Sequence, residues 1–165
     1  AEYINQAPEN IKFIIAPHNI KPDQISNLKS QITKPALLFS EKENQDLSHY
    51  NVFIIDTIGI LTKIYSYGTI AYVGGGFGNP GIHNILEPAT FGIPIVIGPN
   101  YSNFAEALLL INLKGCISIH NISELKETFD KLLNDENFLK EKSEICRSFI
   151  QNNKGATETI IKLVS

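Results

Sequence analysis

The stretch AYVGGGFGNPGIHNILEPATFGIPIVIGPN, residues 71 to 100, decides how the chain folds. It belongs to a segment framed by two apolar runs, TIAYVG (69 to 74) and PIVIG (94 to 98). Between them stand Gly74, Gly75, Gly76, Gly78 and Gly81, and then His83, Asn84 and Glu87. Runs this continuously apolar suit strands that are buried on both faces. The segment between them has room for a helix, and strand, loop, helix, strand is the unit that builds a parallel sheet. Pro88 is tolerable only in a first helical turn, so the helix is expected to start near His83 with Glu87 at its mouth. Each glycine costs backbone entropy, and so many in one loop must have a use beyond turning the chain.

The same alternation extends in both directions. IKFIIA (11 to 16), ALLFS (36 to 40), NVFII (51 to 55) and CISI (116 to 119) add four strand-length runs. Helices are expected to begin near Asp23, Thr57, His83 and Asn103, with Gly68 and Gly92 where helices would stop. The pattern predicts an α/β fold, a Rossmann-like doubly wound parallel sheet. From Asn121 onward it becomes helical only: SELKETFDKLLND, ENFLKEKSEICRSFIQNN and GATETIIKLV, with a helix start at Ser123 and a break over 152 to 155. PHNIKPD and EKENQDLSHYN read as loops. EYINQAPEN reads as the tail of a helix whose preceding strand would lie upstream. With no methionine at position 1, the chain is expected to be a piece of a longer protein.

At 165 residues and 43% hydrophobic content, one domain spanning 1 to 165 is expected. A net charge of -3 and scattered basic residues provide no field for a polyanion, which argues against a nucleic-acid partner. Cys116 and Cys146 have neither metal nor disulfide spacing and read as buried small hydrophobes in a reducing compartment. No apolar run approaches bilayer length, and the N-terminus lacks a signal-peptide pattern. No carboxylate pair or histidine cluster has metal-ligand spacing, so no metal is expected.

Ligands of open parallel sheets sit at the carboxyl ends of the strands. Pro17 and His18 follow the first strand, Asp56 and Thr57 the third, the glycine loop the fourth, and Gly98, Pro99 and Asn100 the fifth. A glycine loop lets backbone N–H groups approach an anion, although close packing of loop against strand explains the same residues equally well. No Lys-Ser/Thr pair follows the last glycine, so this is not a Walker loop, and a dehydrogenase-type dinucleotide site fits poorly. Asn84 and Glu87 lie three apart on one helix face. A carboxylate there can accept hydrogen bonds from both hydroxyls of a ribose, while His83 and Asn84 stay near a phosphate. A plain helix cap and helix-start acid is the alternative. His18 stays open between a structural and a binding role, and Asp56 reads as a helix cap. His49 and His120 receive no role.

These residues resemble the C-terminal domain of the Kdo transferases. The likeness rests on APH (16 to 18), DTIGIL (56 to 61), the block GGxxxxxxxHNxLEPxxFGxPxxxGP within 71 to 107, and NNKGA (152 to 156). Members of that family attach 3-deoxy-D-manno-octulosonic acid (Kdo) to the lipid A precursor and have the GT-B fold of two facing Rossmann-like domains. The resemblance implies a CMP-Kdo donor site. Gly74, Gly75 and Gly76 would face the phosphate, Glu87 the ribose, and Thr57, Ile58 and Gly59 the cytosine. Asn84 would orient the glycine loop, Asn103 would close the site beside Gly98 and Pro99, and His18 and His83 would complete it. Members commonly carry Arg-His where this chain has Pro17-His18, and a glutamate in place of Ile60; the one arginine here is Arg147.

The family's general base is a glutamate of the N-terminal domain, so no catalytic residue is expected in this chain, which alone would be inactive. The lipid A precursor and the membrane would be met through that other half, at the cytoplasmic face of the bacterial inner membrane, in lipopolysaccharide biosynthesis. Two other readings fit the motifs less closely. One is the donor domain of a GT-B enzyme that uses a UDP-sugar, either a transferase or a UDP-N-acetylglucosamine 2-epimerase. The other is a nucleotide-binding domain without enzymatic activity.

Overall fold

The structure is a computed structural model in which residues 1 to 153 are described. The expected helix GATETIIKLV and the end of NNKGA lie outside the described residues. All six expected strands form, each as a three-residue core, and every pairing is parallel. Hydrogen bonding groups them in two sheets of three, and the chain divides into two compact units, Ala1–Leu61 and a second that begins at Thr62.

In the first unit, helix α1 (Glu2–Gln6) leads to strand β1 (Phe13–Ile15), helix α2 (Pro22–Ser30), strand β2 (Ala36–Leu38) and strand β3 (Val52–Ile54). The strand order is β1-β3-β2, so β3 runs between the other two, with Val52 and Ile54 fully buried. Ile25 and Ile32 pack against them, with Phe13, Ile15 and Leu28 at the margin. Asn5 ties α1 to the end of α2, donating to the Gln31 carbonyl (2.9 Å) and accepting from the Thr33 amide (2.9 Å). The helix expected near Asp23 starts at Pro22, because proline at the first helical position needs no N–H partner.

The second unit holds helix α3 (Leu61–Ile64), strand β4 (Ala71–Val73), helix α4 (Leu86–Thr90), strand β5 (Ile95–Ile97), helix α5 (Ala105–Asn112), strand β6 (Cys116–Ser118), helix α6 (Ile122–Asn134) and helix α7 (Glu136–Asn152). Its strand order is β4-β5-β6. All three residues of β5 have 0% exposure, as a strand covered on both faces requires. Burying such side chains stabilises a fold by roughly 1.5–3 kcal/mol each. Ile95 and Ile97 face a cluster with Ala89, Leu110, Cys146 and Phe149, and Val96 faces another with Ile119 and Leu132. Cys116 and Cys146 are buried free thiols, and burial pushes both pKa values up to about 12.

Four element starts differ from expectation. The helix placed near Thr57 begins at Leu61, and the one near Asn103 begins at Ala105. The one near His83 begins at Leu86, because a side-chain turn holds the three residues before it. The start expected at Ser123 is capped two residues earlier by Asn121, whose oxygen accepts from the Glu124 amide at 2.9 Å. Glu124 answers by accepting from the Asn121 side chain at 3.0 Å, the reciprocal arrangement of a capping box.

Candidate functional site

The expected site residues fall in both units. In the first, the loops after β1 and β3 line a cavity of about 630 Å³ at the carboxyl ends of these neighbouring strands. His18, Thr57, Ile58 and Gly59 all contribute to it, and so does Lys21, which the sequence reading left out. Gly59 has φ +88, a conformation that favours glycine, and Ile58 is 87% exposed. The Thr57 hydroxyl oxygen is buried and has no hydrogen-bond partner. Asp56 turns away from this role. It accepts from the amide (2.9 Å) and the hydroxyl of Ser40, which follows β2. Burial opposes ionisation of Asp56, but the Ser40 bonds prevail and hold the carboxyl below its ordinary range. The expected cap is therefore real, but it serves the turn after β2, because the helix after Asp56 starts too late to use it.

In the second unit, the loop after β4 explains its glycines by contact. Gly75 has φ +92, and a Cβ there would stand 2.3 Å from the Gly81 carbonyl oxygen. A Cβ on Gly76 would stand 2.8 Å from the Gly98 backbone, and one on Gly98 would stand 2.6 Å from Gly76. The loops after β4 and β5 thus meet backbone to backbone, which no other residue pair permits. Asn100 fastens the contact, donating its amide to Gly76 O (2.9 Å) and its side chain to Gly78 O (3.2 Å). Gly74 differs, since its nearest neighbour would be His83 Cδ2 at 3.9 Å. Among the described residues, the amides of Gly75, Gly76 and Phe77 donate no hydrogen bond, a row of free donors directly after a strand.

Beyond the glycines, the His83 amide donates to Gly74 O at 3.0 Å and anchors the returning chain. Asn84 spends its side chain on its own turn: Oδ1 accepts from the Leu86 amide (2.9 Å) and Nδ2 donates to Glu87 Oε1 (3.0 Å). It therefore orients Glu87 and not the glycine loop, which His83 and Asn100 hold instead. Glu87 occupies the first turn of α4, beside the buried Pro88. Pro99 is partly buried next to Gly98, and Asn103 is exposed ahead of α5.

Tyr65 and Arg147 escaped the sequence reading. The Tyr65 phenol is pushed up by burial and then by the charge of Glu87, and its ring lies 6.1 Å from that of Phe91. Arg147 packs on Gly92, where φ is +67 and a Cβ would stand 2.3 Å from Nε, so the chain's arginine covers the end of α4. Neither role has a local signal, because each partner is remote in sequence. Among the described residues, no three His, Cys, Asp or Glu side chains are grouped to hold a metal ion, and no helix is long and apolar enough to cross a membrane.

This arrangement has relatives. Over 157 residues the chain is 37% identical to a 3-deoxy-D-manno-octulosonic acid transferase of Rickettsia prowazekii, which covers 92% of this chain and 31% of the relative. The chain is homologous to the Kdo transferases. A second Kdo transferase, from Haemophilus influenzae, is 24% identical over 94% of this chain and 37% of its own length. No family model matches the chain. Among solved structures, the C-terminal CMP-Kdo binding domain of WaaA from Acinetobacter baumannii superposes with a TM-score of 0.78 at 21% identity, over 91% of this chain and 78% of that domain. This Kdo transferase homologue therefore has the fold of a GT-B C-terminal domain. It spans between 24% and 37% of the length of the first curated relatives it matches.

Proposed function

We propose that the chain binds CMP-Kdo as the donor half of a Kdo transferase. The observation that carries the reading is the Glu87 carboxylate, aimed by Asn84 in the turn that leaves a glycine loop with free amides. Glu87 receives the ribose hydroxyls, the amides of residues 75 to 77 meet the phosphate, and the loop of Thr57, Ile58 and Gly59 receives the cytosine. The name of the Acinetobacter baumannii domain, a CMP-Kdo binding domain, supports the choice of donor. No metal is required in this reading.

Transfer to a lipid A precursor calls for the rest of the protein. A general base must reach within about 2.6–3.2 Å of the acceptor hydroxyl. No titratable group beside the glycine loop is assigned that task, and the relatives are much longer than this chain. The acceptor, the membrane and the base all belong to that remainder, and the chain alone binds donor without turnover. Calorimetry with CMP and UDP tests the reading, with CMP expected to bind more tightly. Tighter UDP binding assigns the chain to another GT-B donor. Repeated formation of Kdo-lipid by this chain alone, followed by mass spectrometry, overturns the two-part assignment.

A further inference from the structure

We propose that the cavity at the carboxyl ends of β1 and β3 is an oxyanion site, with Lys21 as counter-charge and the Thr57 hydroxyl as donor. The inference rests on the donor reading above and adds to it a residue that the reading does not use. Lys21 occupies the cap position of α2, where a cation faces the positive end of the helix dipole. That is an unfavourable place for an ammonium group unless an anion sits between the two. Lys21 enters no ion pair among the described residues, and no carboxylate lines the cavity. The first turn of α2 has no side-chain cap either, so its leading amides still offer donors.

The independent observation is Thr57. Its hydroxyl oxygen is buried without a partner, although a buried polar group left unpaired is costly and rarely tolerated. Thr57 follows β3 and Lys21 follows β1, so the pairing of these strands brings both residues to one cavity. An ammonium, a hydroxyl and helix-start amides are all donors, and an oxyanion accepts from each. The proposed ligand carries two such groups, the nucleotide phosphate and the carboxylate of the sugar acid.

Titrations of the unaltered chain, Lys21→Gln and Thr57→Val with cytidine, CMP and free Kdo at low salt test the inference. Lys21→Gln is expected to weaken the anionic ligand about tenfold and leave cytidine unchanged. Added NaCl should shrink that difference. A loss confined to CMP assigns the phosphate, and a loss confined to Kdo assigns the carboxylate. Thr57→Val should lower affinity for the same ligand while leaving the thermal midpoint of the free chain level or higher, which a structural hydroxyl would not do. If Lys21→Gln binds CMP and Kdo as the unaltered chain does, the inference is overturned and the donor reading stands. If the unaltered chain binds neither cytidine nor CMP, the donor reading fails and this inference fails with it.

Discussion

Replacing Gly74 with alanine separates the two uses of the glycine loop. At Gly75 and Gly76 a Cβ would strike backbone at 2.3 and 2.8 Å, so substitution there disturbs the fold before any ligand is added. At Gly74 the nearest atom would be 3.9 Å away, an ordinary contact, and no left-handed φ stands in the way. Gly74→Ala should therefore fold normally and gain about 0.4–1 kcal/mol from the loss of unfolded-state freedom. For a chain of this length, that raises the thermal midpoint by about 1–4 °C. Gly76→Ala should lose about 1–3 kcal/mol, as overpacking does, and melt roughly 2–12 °C lower. If the free amides that follow Gly74 hold the donor phosphate, the new methyl group obstructs the approach, and CMP affinity should fall at least about tenfold. Thermal unfolding and calorimetry on the two variants read both quantities. Unchanged CMP affinity in a stable Gly74→Ala would refute the reasoning, leaving the glycines as a packing device for the loops after β4 and β5.

Three further outcomes are expected. Glu87→Ala should weaken CMP by about 10- to 100-fold and abolish any preference for CMP over 2′-deoxy-CMP; a preference that survives assigns the ribose to another group. Asn84→Asp should keep the oxygen that accepts from Leu86 but set a second carboxylate against Glu87. The melting temperature should then hold within a few degrees while CMP binding drops, and an Asn84→Ala control should instead lose about 1 kcal/mol of stability with the cap. Asp56 contributes a pH term. Its folded pKa lies below the ordinary value of 3.8, so its stabilisation is present above that value and lost as pH falls through the folded pKa. Asp56→Asn should flatten acid unfolding in that window, and an unchanged acid limb would show that the Ser40 bonds do not matter.

Much of this protein was legible in its sequence because the governing interactions are short in range. Each strand announced itself as a continuous apolar run, and β5 is as fully buried as PIVIG predicts. Cys116 and Cys146 read correctly as buried thiols. Pro88 correctly confined Glu87 to a first turn, and the spacing of Asn84 and Glu87 anticipated that their side chains would meet. Helix starts were less exact, because a side-chain turn such as that of Asn84 can delay a helix without changing which residues are apolar.

Tertiary structure decided which meaning each signal carried. Five glycines in one loop were compatible with either ligand approach or close packing. Only the pairing of β4 with β5 sets Gly76 against Gly98 and frees Gly74. Likewise, only the pairing of β1 with β3 brings Lys21 and the unpartnered Thr57 hydroxyl to one cavity, and only the packing of α7 places Arg147 on Gly92. Composition and periodicity report what a residue prefers locally, whereas these contacts join residues far apart in the chain. Strand register and helix packing fix such contacts, and neither is written at any single position.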